Sequence, residues 1–206
     1  MLEDVKAEKV LDASCGTGIY ALELAERGMR VTAVDLSDQM LEIASHKAES
    51  RGLPITFRKA DVKKLPFPDQ AFDLVLSILG LEFMDAKVEA IRELLRVTRE
   101  SGYLILGVLN KHSLWTLKRK IKALFADTLW RKAKFLSESE WKRLLKKIEG
   151  YRFVAMKRAI YYPPIENPTA AKTHQILEII SGTLFPLFPT FIAFKVQKIA
   201  AASKNC

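Results

Sequence analysis

Three carboxylates stand at the ends of three short segments that read as strands in the first third of the chain. Asp12 follows Val10-Leu11, Asp35 follows Val31-Thr32-Ala33-Val34, and Asp61 follows Arg58-Lys59-Ala60. The first runs into a turn of small residues, Ala13-Ser14-Cys15-Gly16-Thr17-Gly18, where Gly16 and Gly18 allow backbone angles closed to other residues. A glycine turn between a strand and a helix lets a ligand approach the backbone closely. An acid at the end of the neighbouring strand, about twenty residues on, accepts hydrogen bonds from the two hydroxyls of a ribose. Asp35 holds that place, or else it caps the next helix, a task for which Ser37 is also fit. Asp61 is placed to meet an adenine amino group. A G-x-G alone fits an ordinary tight turn, but three acids in order at three strand ends argue for a nucleoside-like ligand.

The elements that must carry these residues alternate. Strands fall near 9–13, 30–34, 55–59, 72–77 and 103–109, with a helix from Thr17 through Arg27 after the first. Such alternation implies a parallel sheet covered on both faces by helices. Past residue 110 the pattern changes. His112 to Lys134 reads as helical and basic, and Ser137-Glu138-Ser139-Glu140 is a capping box opening a helix to Ile148, which Gly150 ends. Segments 152–161 and 190–198 read as closing strands.

With these blocks in view, the chain resembles class I S-adenosylmethionine-dependent methyltransferases, the broad family typified by ubiquinone and menaquinone biosynthesis methyltransferases. The resemblance rests on Val10 through Gly18, Ala33-Val34-Asp35-Leu36-Ser37, Lys59-Ala60-Asp61-Val62 with Leu65-Pro66-Phe67, and Phe72 through Ser77. Ala90 through Val97, running into Ser101 through Leu106, resembles the family's helix and fifth strand. Together they cover roughly residues 9–109. Ser14 departs from the pattern, standing where the family commonly has the first glycine of its loop.

The resemblance implies a Rossmann-like, doubly wound α/β fold with a seven-stranded, mostly parallel sheet in the order 3-2-1-4-5-7-6. An antiparallel closing strand and a helical basic insertion between strands 5 and 6 complete it. It further implies one domain over 1–206, with a cofactor-binding core at 9–110, a lid at 111–150 and a closing hairpin at 151–206. The implied cofactor is S-adenosylmethionine, leaving as S-adenosylhomocysteine. Gly16 and Gly18 would pass beneath its methionine part, with Ala13 or Ser14 offering a main-chain group. Asp12 would hold the loop or reach the methionine amino group through water. Asp35 would bind the ribose hydroxyls, Leu36 and Met40 would flank the adenine, and Asp61 with the backbone of Val62 would read its edge. Ser77 and Ile78 would line the sulfonium. For Leu36, Met40 and Ile78, core packing is an equal alternative. The first strand begins after only eight residues, whereas relatives place helices ahead of it to cover cofactor and acceptor.

Charge is segregated. Residues 1–110 carry a net −4, residues 111–158 a net +11, and the remainder +2. In the basic segment Leu114, Leu117, Ile121, Leu124 and Phe125 recur at helical spacing, with Lys118, Arg119, Lys120 and Lys122 on other faces. Two placements follow: apolar face on the domain and charges in water, or, through 111–134, the apolar face against an anionic membrane. Nucleic acid has less support, because no aromatic or helix-turn-helix pattern of known modules appears. Two cysteines, Cys15 in the loop and Cys206 at the end, form no disulfide framework and no metal site. No secretory signal pattern opens the chain. The apolar stretch Ile176 to Val196 is broken by Glu178, Gly182, Pro186 and Pro189 and reads as a loop leading to a last strand. The expected location is cytoplasmic, with peripheral attachment at the inner membrane face as the alternative that the second placement of the basic helix brings.

The acceptor is narrowed by exclusion. Exocyclic amines of bases are usually methylated by an Asn or Asp followed by Pro-Pro and an aromatic, and this chain has Ser77-Ile78-Leu79-Gly80 there. Methylation at C5 of a pyrimidine needs a cysteine nucleophile, which neither Cys15 nor Cys206 is placed to be. Direct in-line displacement by a small or lipid-like acceptor remains. Should a base be needed, the candidates are His112, Glu82, Tyr161 and Tyr162. Against these stand a solvent-exposed His112 and a Glu82 that only begins a helix. Two readings from other classes compete: a non-catalytic cofactor-binding scaffold, and a membrane-peripheral or RNA-binding protein that uses 111–158.

Overall fold

A strand covered on both faces reads as an unbroken apolar run, because successive side chains turn to opposite sides. The central strands β1 (Lys9–Ala13), β4 (Phe72–Ile78) and β5 (Thr98–Leu109) are of this kind in the computed structural model, which describes residue 2 and residues 5–125, 128–159 and 189–199. Leu11, Ala13, Val75, Leu104 and Leu106 turn to one layer, where α3 (Lys87–Val97) brings Ile91 and Leu94 and α5 (Glu138–Leu145) brings Trp141 and Leu145. Val10, Leu74, Leu76 and Ile105 turn to the other, against Ala21, Leu24 and Ala25 of α1 (Ile19–Glu26). Each fully buried leucine here adds about 1.5–3 kcal/mol.

The sheet is completed by β2 (Arg30–Asp35), β3 (Thr56–Lys59), β6 (Tyr151–Ala159) and β7 (Phe191–Lys198). Its order is β3-β2-β1-β4-β5-β7-β6, as the resemblance implied. The strands from β3 to β5 pair in parallel, while β7 runs antiparallel to both β5 and β6. The order reverses between β1 and β4, so the crevice at their carboxyl ends is where such sheets hold ligands.

Some boundaries differ from the sequence expectation. β5 starts at Thr98 rather than 103, because Thr98 pairs with Phe72 ahead of an irregularity that holds Ser101 at φ 60°. The helix expected over His112 to Lys134 is instead α4 (Leu114–Phe125) and a 3-10 turn at Leu129–Arg131. Lys134 cannot continue a helix, since its N–H donates to the Glu82 carbonyl at 2.7 Å. α5 ends at Leu145 rather than Ile148, its last amides tightening into bonds three residues back. Its capping box forms as expected, with Ser137 and Glu140 reciprocating. Among the described residues no helix is long and apolar enough to cross a membrane.

Candidate functional site

The turn after β1 is held by its backbone. The N–H groups of Ser14 and Cys15 both donate to the Val34 carbonyl, at 2.9 and 3.0 Å, which ties the turn to β2. Gly18 sits at φ 80° as the cap of α1, and a Cβ there would lie 2.9 Å from the Ala44 Cβ. Only a residue without a side chain lets α1 meet α2 (Asp38–Ser50) this closely. Lys47 of α2 adds a bond from Nζ to the Thr17 carbonyl at 3.2 Å.

Asp35 joins this turn to the next one. Its Oδ2 accepts the Gly16 N–H and its Oδ1 accepts the Ser37 N–H, each at 2.9 Å. Capping of α2 falls to Ser37, whose Oγ accepts the Met40 N–H at 3.3 Å. A carboxylate has about four acceptor positions, so Asp35 keeps capacity on both oxygens. Ala60 donates its N–H to the Asp35 carbonyl at 3.1 Å, which draws the segment after β3 to the same edge. Asp61 there accepts the Lys63 N–H at 2.9 Å and lies half-exposed, two residues beyond the end of β3.

Asp12 differs from both. It is buried, its Oδ2 has no hydrogen-bond partner, and its carboxyl is pushed up to about 7, chiefly by burial and further by Asp35, against a bond from the Ala21 backbone. The same burial, with the charges of Asp12 and Asp35, drives the Cys15 thiol far upward, so it is held as an inert thiol.

Around the loop, apolar side chains divide by exposure. Leu36 is exposed, which excludes core packing for it, and Ile19 and Tyr20 at the start of α1 are exposed as well. Met40 is half-buried. Val62 belongs to the core. Ile78 packs over Gly107, where a Cβ would come within 2.7 Å of its Cδ1. Ala13 is fully buried at the end of β1.

The end of β4 supplies what the sequence reading missed. Leu79 adopts φ 59°, a conformation strained for a non-glycine residue, and its N–H donates to the Gly107 carbonyl at 2.8 Å. Gly80 follows, and a Cβ there would sit 2.4 Å from the Ser14 Cβ. Ser14, at φ 66°, occupies a position that favours glycine, and Gly80 provides the room its side chain takes. The departure at Ser14 was the sequence signal, and Gly80 is its counterpart. Ser77 just before is fully buried, with an unpartnered Oγ.

The base candidates separate. Glu82 is buried in the turn Leu81–Phe83, where its Oε1 accepts the Leu109 N–H at 2.6 Å and its Oε2 has no partner. Burial pushes its carboxyl up to about 7, opposed by that bond, by its own backbone amide and by Lys87. Glu82 therefore does more than begin a turn: it staples the end of β4 to the end of β5. His112 is exposed, its N–H donating to Asn110 Oδ1 at 3.3 Å. It lines an open cavity with Ser137, Glu138, Lys142 and Arg158. Tyr161 and Tyr162 lie outside the described residues.

The edge thus presents an orphaned buried acid, a carboxylate with free acceptor positions and an exposed leucine just after it, groups that can meet a cationic, partly apolar nucleoside ligand. Comparison with known proteins agrees. The methyltransferase-domain family matches residues 11–106. A malonyl-[acyl-carrier protein] O-methyltransferase from Serratia marcescens is 36% identical over 110 residues, which span 53% of this chain and 42% of that protein. The chain therefore matches less than half the length of that curated relative. A SAM-dependent methyltransferase structure from Thermotoga maritima superposes with a TM-score of 0.68 at 22% identity, covering 94% of this chain and 83% of the other. The [4+2]-cyclase SpnF does so at 0.70 and 21%, covering 98% and 77%. Likeness at this identity shows the fold alone, and a cyclase among the neighbours shows that the fold does not dictate the chemistry. The matched residues 11–106 are those that build the glycine turn, the Asp35 bridge and the β4 edge; over them the chain is similar to methyltransferase domains, and its sheet order is that of the fold these structures share.

Proposed function

We propose that this protein transfers a methyl group to a small or lipid-like acceptor at the carboxyl edge of β1, β2, β4 and β5. The observation that carries the reading is the Asp35 carboxylate, held between the Gly16 and Ser37 amides with acceptor capacity left on both oxygens. Asp35 would accept the ribose hydroxyls, and Asp61 with the Val62 backbone would read the adenine. Leu36 and Met40 would cover the adenine faces. Asp12, with its free Oδ2, would take the methionine ammonium directly or through water, and Ala13, Ser14, Gly16 and Gly18 would run beneath the methionine chain. Ser77 and Ile78 would border the methyl.

S-adenosylmethionine, when bound, supplies a sulfonium methyl that is already a strong electrophile. The protein's task is then to align the acceptor, exclude water and stabilise the partners, so no base is required of it. Glu82 acts as a positioning residue that fixes the β4 and β5 ends, and exposed His112 takes no part. The Serratia relative is named for O-methylation of malonyl-[acyl-carrier protein], which places acidic oxygen acceptors first in an assay panel.

The test is calorimetric titration with S-adenosylhomocysteine, followed by tritiated methyl transfer to a panel of carboxylic acids, amines, thiols and quinols. Binding that Asp35→Ala abolishes, together with turnover on one acceptor class, is the expected result. Binding without turnover on any acceptor favours the scaffold reading, and absent binding sinks both.

A further inference from the structure

α4 lies on the molecule with its apolar side outward. At 3.6 residues per turn Leu117, Ile121, Leu124 and Phe125 share one stripe, and they are 52, 50, 78 and 86% exposed. Thr116 and Ala123 on the opposite side are buried. Arg119, next to Ala123 on the wheel, faces inward, its guanidinium 3.8 Å from the centre of the Trp115 ring and 3.7 Å from that of Trp130. Trp130 in turn meets Phe83, in the turn after β4, at 5.5 Å and Phe135 at 6.1 Å. The helix is thus clamped by a charged side chain while four of its large apolar residues stand in water. Exposed Lys118 and Lys122 flank one edge of the stripe and exposed Lys120 the other.

We propose that α4 is an interfacial helix that docks on an anionic lipid bilayer. Leu117, Ile121, Leu124 and Phe125 enter the headgroup boundary, and Lys118, Lys120 and Lys122 meet lipid phosphates. A contiguous exposed apolar stripe marks a docking site, and basic residues on both flanks are the pattern of helices that lie in the membrane plane. Charge complementarity selects the occupant. Residues 111–158 carry a net +11, which an anionic leaflet attracts and the same segment of a second copy repels. Nucleic acid would meet the lysines but leave the stripe in water. The inference goes beyond the proposed reaction and does not depend on it.

Flotation of the full chain is measured with vesicles of phosphatidylglycerol and phosphatidylcholine in equal parts, and with phosphatidylcholine alone, at low and high salt. The protein is expected to float with the anionic vesicles only, and less so as salt shortens the screening length. Leu124→Glu with Phe125→Glu should weaken binding about tenfold or more, and Lys118→Glu with Lys122→Glu about fivefold for each lysine. All four positions are exposed, so circular dichroism and S-adenosylhomocysteine titration should match the parent protein. Retained nucleoside binding without flotation isolates the surface, whereas flotation without nucleoside binding sinks the methyl-transfer reading alone. Three results overturn the proposal: no flotation of the parent chain, equal flotation of the Leu124/Phe125 variant, or a lipid-indifferent dimer that this variant makes monomeric.

Discussion

The glycine turn with its Asp35 bridge and the basic segment around α4 are built on opposite logic. In the first, backbone amides and one carboxylate fix the geometry, and Leu36, Ile19 and Tyr20 are left exposed on the residues that follow the turn and β2. In the second, one guanidinium between two indoles fixes the helix, and its apolar stripe faces away from the core. The contrast teaches that exposed apolar surface has two meanings in one chain. On the two proposed readings it is the wall of a ligand site beside Asp35, and on a helix flanked by lysines it is a face for another surface.

The strongest way to break the comparison is to remove the bridge. Asp35→Ala deletes the acceptor for two backbone amides and, on the proposed reading, for the ribose. S-adenosylhomocysteine should bind about 100-fold more weakly by calorimetry, roughly 3 kcal/mol. The Lys118→Glu and Lys122→Glu variant should leave that affinity within about twofold, since screening confines exposed charges to their neighbourhood. Equal losses in both would mean that the two regions form one site.

Glu82 joins the regions, its carboxylate taking the Leu109 N–H and its carbonyl the Lys134 N–H. Its carboxyl ionises near 4.5 when unfolded and about 7 when folded. Between these values the folded state holds a proton that the unfolded state has released, so stability falls as pH rises from 4.5 to 7 and stays low above that. The shift corresponds to about 3 kcal/mol. Asp12, raised from 3.8 to about 7, slopes the same way. Urea unfolding of Glu82→Gln across this range should therefore show roughly half the parent slope. An unchanged slope would place the titration elsewhere.

A smaller effect sharpens the account of the loop. Gly80→Ala drives a methyl to within 2.4 Å of the Ser14 Cβ and should cost about 2 kcal/mol by overpacking. Ser14→Gly, which also relieves φ 66°, should restore more than half of that loss in the double variant. Additive losses would show that the two positions do not share the space.

The fold was legible because its signals are local and repeated. β1, β2 and β4 announce themselves as largely apolar runs bounded by turns, and acids stand at or close after the ends of β1, β2 and β3. The Asp35 bridge was legible as a position but not as a geometry, because the sequence does not show that Ser37 takes the capping role and leaves Asp35 to bind two amides. Leu79 and Gly80 were hidden for a different reason: the need for glycine arises from Ser14, sixty-six residues earlier in sequence. Helical spacing placed Leu117, Ile121, Leu124 and Phe125 on one face but carries no sign. Which face turns inward depends on Trp115 and Trp130 converging on Arg119, and that is tertiary information.

Arg119→Met tests that sign with the smallest expected change in stability. A guanidinium stacked on two indoles gains about 0.5–2 kcal/mol from each face, and Arg119 sets against this a buried Nη1 without a partner, which costs about 1–3 kcal/mol. Methionine keeps the packing and removes both terms, so the net loss by thermal unfolding should be about 1 kcal/mol or less. The near-ultraviolet circular dichroism of Trp115 and Trp130 should change far more than the melting temperature, because the ordering of the rings depends on the cation. If helix orientation follows from the sandwich, vesicle flotation should weaken in Arg119→Met even though every residue of the stripe is intact. Should flotation persist with the tryptophan signal gone, the stripe alone would orient α4, and the clamp would be a consequence of its position rather than the cause.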